Sequence, residues 1–92
     1  MKLTPKQLAD QIRRDATRYV AANATDDAEL RRTIQADVRA LNAVADLAAA
    51  GDLRGAYLRA AKLDTVVREA ITDKAWRTLS GNAAFGHTRW DS

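Results

Sequence analysis

Cysteine is missing altogether from the 92 residues, so disulfides, thiolate metal sites and cysteine nucleophiles are excluded from the outset. Aromatic residues are scarce at 5%, and the 47% hydrophobic fraction is carried mainly by alanine and leucine. Such a mixture favours close-packed helices over a sheet, which draws on β-branched and aromatic side chains. Long apolar runs are also lacking: no window approaches the roughly 18 apolar residues of a membrane span. The opening Met1-Lys2-Leu3-Thr4-Pro5 has no signal-peptide core, and a cytoplasmic protein without membrane contact is expected. A glycine-rich phosphate loop is absent too, because Gly51 and Gly55 flank a helix start without the lysine and hydroxyl residue that would complete one. His87 is the only histidine.

What remains is a mildly basic, helix-forming chain. Fifteen basic residues stand against 12 acidic ones, a formal net charge of +3, with a sequence pI near 9.7. Eleven of the basic residues are arginine, the side chain suited to phosphate or carboxylate recognition. Four aspartates precede an arginine by four residues, a favourable order for pairing along a helix: Asp10 with Arg14, Asp27 with Arg31, Asp64 with Arg68 and Asp73 with Arg77. Arginines with local partners are less available to a nucleic acid. Arg39, Arg54, Arg59 and Arg89 have no such neighbour and stand as candidate anion contacts.

The central stretch from Asp26 to Ala50 carries two apolar stripes at helical spacing. One is Leu30, Ile34, Asp37, Leu41, Val44 and Ala48; the other is Ala36, Ala40, Ala43, Leu47 and Ala50. They lie about 110° apart around a helix, so this helix is expected to have neighbours on two sides. Before it, Thr4, Pro5 and Gln7 form a capping box with proline at the first helical position, and Leu3 and Leu8 form a hydrophobic staple. That first helix should end near Ala22 or Asn23. Asp26 and Glu29 outline a second capping box, Gly51 should stop the second helix, and Asp52 should cap a third. A turn as tight as Gly51-Asp52 folds its flanking helices back as an antiparallel hairpin.

From Leu53 onward the apolar positions continue through Leu79 in phase, which predicts one long third helix; a cap at Asp64 and Thr65 would divide it and supply a fourth. Ser80-Gly81-Asn82 is expected to end it. The fold class expected is therefore all-α, a small antiparallel bundle of three long helices with an aromatic C-terminal tail. Residues 1–82 would form the bundle domain and 83–92 a tail, docked or partly disordered.

No catalytic constellation assembles from these residues, and neither a cofactor nor a metal site is expected. His87 with Asp91 provides two ligands in a glycine-flanked tail, a poor cage for a metal. A helix-turn-helix over Leu47 to Ile71 would want a small residue at Leu47 and an apolar one at Asp52, and fits poorly. Two features point to interaction instead. The short side chains of Ala36, Ala40 and Ala43, with Leu47, would let another helix approach closely, and a homodimer through the second helix is the first partner expected. Phe85 and Trp90 belong to residue types that anchor interfaces. Asp37 interrupts the bulky stripe, and an arginine such as Arg13, Arg18 or Arg68 should reach it as a buried ion pair. The function expected is a non-enzymatic protein-binding module, an inhibitor, adaptor or regulatory accessory protein. The alternative is an arginine-mediated nucleic-acid or nucleotide binder.

Overall fold

A computed structural model describes the backbone of residues 3–84 and the side chains of residues 3–81. Every regular element among them is helical: α1 (Pro5–Ala22), α2 (Ala28–Ala49), α3 (Leu53–Ala61), α4 (Thr65–Arg68) and α5 (Asp73–Ala84). The chain is all-α, with two long helices and three short ones where three long ones were expected.

Local signals set the first two helices. The Thr4 hydroxyl accepts the Gln7 N–H at 3.2 Å while the Gln7 side chain accepts the Thr4 N–H at 3.0 Å. This reciprocal box satisfies two donors that the first turn leaves free. At the far end the Asn23 side chain donates back to the Tyr19 carbonyl at 2.8 Å. Helix α2 starts one residue later than the spacing suggested: Asp27, not Asp26, is the N-cap, accepting from the N–H groups of Glu29 and Leu30. Its C-terminus closes on Gly51 at φ 83°. The N–H of Asp52 then bonds the Leu47 carbonyl, and that of Gly51 the Ala48 carbonyl, each at 3.0 Å. Those two bonds form a Schellman motif, which glycine enters without steric cost. The Asp52 carboxylate caps α3 through the Gly55 N–H at 2.9 Å.

The third helical region breaks twice, which corrects the expectation of one continuous helix. Its buried positions Leu53, Ala56, Ala60, Val67, Ile71, Ala75 and Leu79 keep helical phase across both breaks, so periodicity alone could not reveal them. At the first, Lys62 and Leu63 bond back only three residues, to Arg59 and Ala60, and Asp64 turns out to ψ 148°. At the second, Ala70 and Ile71 do the same with Val67 and Arg68. Ser80-Gly81-Asn82 does not end the last helix either. Helix α5 runs on to Ala84, with the Ser80 hydroxyl donating to the Trp76 carbonyl inside it. A single glycine costs a helix only about 1 kcal/mol.

Packing joins α1 to α2, α2 to α3, α3 to α5, and α5 back to α1. Leu8, Ile12, Leu41, Val44, Leu53 and Leu79 are fully buried where these four helices meet, with alanines such as Ala45, Ala48 and Ala56 between them. Helix α5 runs antiparallel to α1. The Thr72 N–H lies against Asp15, and Thr78 against Leu3. Helix α3, nine residues or about 14 Å long, cannot cover the 22 residues or about 33 Å of α2. Beyond Tyr19 and Asp37 the α1–α2 hairpin therefore projects without helical cover from the rest of the described chain. Leu30, in phase with the buried Leu41 and Val44, is 53% exposed at that end.

Candidate functional site

The projecting half of the hairpin holds an open groove between α1 and α2. Its upper part, about 570 Å³, is lined by Val20, Asn23, Ala24 and Thr25 on one side and Arg31, Ile34, Gln35, Val38 and Arg39 on the other. A second hollow continues down the same face between Ala16, Thr17 and Ala21 of α1 and Asn42 of α2, sharing Val20 and Val38 with the first. On α2 the lining residues Arg31, Gln35, Val38 and Asn42 step by four, three and four, the spacing of one helical face. The lower end is bridged by Arg13 and Asp46, whose charged atoms stand 2.7 Å apart between the two helices. Both side chains are largely exposed, which limits this pair to about 0–1 kcal/mol.

The charge of the upper groove has one sign. Arg31 and Arg39 line it and no acid does. Asp27, expected to pair with Arg31, is occupied as the N-cap of α2. None of the four acid–arginine pairs read from the spacing forms among the described residues. Arg14 instead donates to the Gln11 amide oxygen, and Arg68 lies 5.8 Å from the Trp76 ring centroid. Trp76 in turn contacts Tyr57 with centroids 5.7 Å apart.

Asp37 has a different partner from the one expected. The Tyr19 hydroxyl donates to its carboxylate at 2.9 Å, and no arginine reaches it among the described residues. The three arginines that could have done so are engaged elsewhere: Arg13 with Asp46, Arg18 with Asp15, Arg68 over Trp76. Burial, then the hydrogen bond to Asp37, and then the charges of Asp37 and Asp64 hold the Tyr19 phenol above its usual 10.0.

The fully buried acid among the described residues is Asp15, which the sequence reading did not single out. It stands at the three–four spacing of Leu8, Ile12 and Tyr19, the same signal that singled out Asp37. One carboxylate oxygen accepts from Gln11 at 2.9 Å and Arg18 at 2.8 Å; the other accepts the Thr72 N–H at 3.0 Å. Arg18 also donates to the Ala70 carbonyl at 3.2 Å. The backbone groups freed at the second break are thus satisfied from α1, as buried polar groups require.

Of the candidate interface residues, Ala40, Ala43 and Leu47 are half-buried and Ala36 is exposed; Leu47 packs at the edge of the core. Arg54 and Arg59 are exposed on α3 and line neither hollow, so they do not converge with Arg39. Phe85, His87, Arg89 and Trp90 lie outside the described residues, as does the tail from residue 85 on. The sequence reading did not single out Arg31 or Val38. Together with Gln35 and Asn42 they stand one residue out of step with the stripe of Leu30, Ile34, Asp37 and Leu41, so no apolar pattern marked them. Among the described residues no group of three metal-ligating side chains converges, and no helix is long and apolar enough to cross a membrane. Neither a protein-family model, nor a curated protein, nor a solved structure matches the chain.

Proposed function

We propose that this protein is a non-enzymatic binding module that works by occupying a partner protein's surface, as an inhibitor, adaptor or regulatory accessory protein does, and that it binds through the α1–α2 groove. One observation carries the reading: Val20, Ile34 and Val38 converge in a groove between α1 and α2 that no other described helix lines. Apolar side chains gathered in an open groove gain from a partner that removes them from water, at about 25 cal/mol per Å².

Homodimerisation through Ala36, Ala40, Ala43 and Leu47 is a narrower form of the same reading. The groove is preferred because its valines and isoleucine offer more apolar area than a row of methyl groups. A nucleic-acid surface built on Arg31, Arg32 and Arg39 is less favoured, because the groove that Arg31 and Arg39 line has an apolar floor of Val20, Ile34 and Val38, which offers a phosphate backbone no donor. The test is a photo-crosslinking side chain at Gln35 in the groove, compared with one at the exposed Arg54 on α3, in cells of the native host. Discrete protein adducts from position 35 alone are expected. Equal labelling from both positions, or adducts to nucleic acid, would refute the groove as the binding face.

A further inference from the structure

We propose, building on that reading, that the occupant of the groove is an amphipathic helix of a partner protein whose apolar stripe is flanked by acidic residues. A groove between two helices with an apolar floor is the geometry that accepts a third helix through anchors three and four residues apart. Here the floor is Val20, Ile34 and Val38, and the charged groups lining the upper part are Arg31 and Arg39. These two arginines have no ion pair among the described residues, and they are eight residues or about 12 Å apart along α2. A helix lying alongside meets both with carboxylates spaced seven or eight residues apart, its apolar residues filling the interval. Charges at such a rim select the partner and its register more than they add affinity.

The chain's own C-terminal residues are a poor fit by reach. Thr78 lies beside Leu3 and α5 continues away from the groove to Ala84, another 9 Å or so. Val20 lies roughly 25 Å along α1 in the opposite direction, which makes a span of about 34 Å. The eight residues 85–92 extend at most about 29 Å. A second copy is a poor fit by charge, since it brings a net +3 to a groove lined by cations.

The probe is a synthetic helix-forming peptide on the order of 16 residues long, with leucines at three–four spacing and glutamates flanking them seven residues apart. The control replaces each glutamate with lysine. Binding is read by amide chemical-shift changes in the full chain. The glutamate peptide is expected to shift the Arg31, Gln35, Val38 and Val20 amides and to bind about tenfold tighter than the lysine peptide or better. Arg31→Glu combined with Arg39→Glu, both at exposed positions, should reverse that preference without altering helicity. Val38→Asp should abolish binding of both peptides.

Equal affinity for the two peptides, absence of binding, or an unreversed preference overturns the inference. Self-association on sedimentation that Arg31→Glu abolishes also overturns it, in favour of a second copy. Persistent protein adducts from position 35 alongside failure of the glutamate peptide would leave the binding-module reading standing and remove this one.

Discussion

Asp15 on α1 accepts the backbone N–H of Thr72 at 3.0 Å, 57 positions further along the chain. The bond joins the middle of the first helix to the start of the last, at the point where the third helical region breaks for the second time. Removing it should be felt well beyond the site. Asp15→Ala leaves a buried N–H unpaired and strips Arg18 of its partner, with an expected loss of about 2–4 kcal/mol in denaturant unfolding. Arg18→Ala, removing a side chain that is 58% exposed, should cost about 1 kcal/mol or less. Equal losses for the two variants would mean that the carboxylate is not the anchor of this junction.

Thr72 offers the opposite test on the same residue. Its hydroxyl is buried and has no hydrogen-bond partner among the described residues, although its backbone is held. Thr72→Val should therefore be neutral or stabilising by about 0.5–1 kcal/mol, since it replaces an unsatisfied hydroxyl with a methyl of similar shape. A clear drop in thermal midpoint would show that the hydroxyl has a partner in solution.

The Tyr19–Asp37 contact makes an alkaline prediction. The phenol is held above its usual 10.0, so the folded state keeps the proton more tightly than the unfolded chain does. The resulting stability is fully present below about pH 10 and is lost as pH rises through the folded value. Tyr19→Phe should lack this loss, and the difference between the two stability curves isolates Tyr19 from Tyr57. Parallel curves across the alkaline range would contradict the assignment.

Two glycines in helices should respond differently to alanine. A Cβ at Gly81 meets nothing within 4 Å, so Gly81→Ala should stabilise α5 by about 0.5–1 kcal/mol. A Cβ at Gly55 runs into the Asp52 carboxylate, which is the cap of α3. Gly55→Ala therefore sets a gain of that size against loss of a cap worth about 1 kcal/mol, and should leave stability near that of the wild type. Thermal unfolding of both variants decides this, and a rise for Gly55→Ala matching that for Gly81→Ala would deny the cap its role.

Thr4, Pro5 and Gln7 at the first helix, Gly51 and Asp52 at the hairpin turn, and the helical character of the described residues were legible because each is decided within about one helical turn of backbone. The break after Ala61 was legible only as an alternative, in the cap at Asp64 and Thr65, and the break after Arg68 was not legible at all. The apolar residues stay in register through them, and the freed groups at the second break find partners on another helix. The groove was half legible. Ile34, on an evident apolar stripe, lines it, but Arg31, Gln35 and Val38 stand one residue out of step with that stripe. The alanine stripe, legible as a pattern, lies half-buried for Ala40, Ala43 and Leu47.

Asp15 and Asp37 mark the division between what sequence and tertiary structure each decide. Both stand at the same three–four spacing among apolar residues, a signal that was read for Asp37 and overlooked for Asp15. Only the tertiary structure decided that Asp15 would be fully buried, because a backbone donor just before α5 and a guanidinium from its own helix meet there. Asp37 is left half-covered with a tyrosine hydroxyl, beyond the end of α3. Periodicity says which way a side chain faces; how deeply it is buried depends on the length of the neighbour, and that length was set by the break after Ala61, where Lys62 and Leu63 turn back on Arg59 and Ala60.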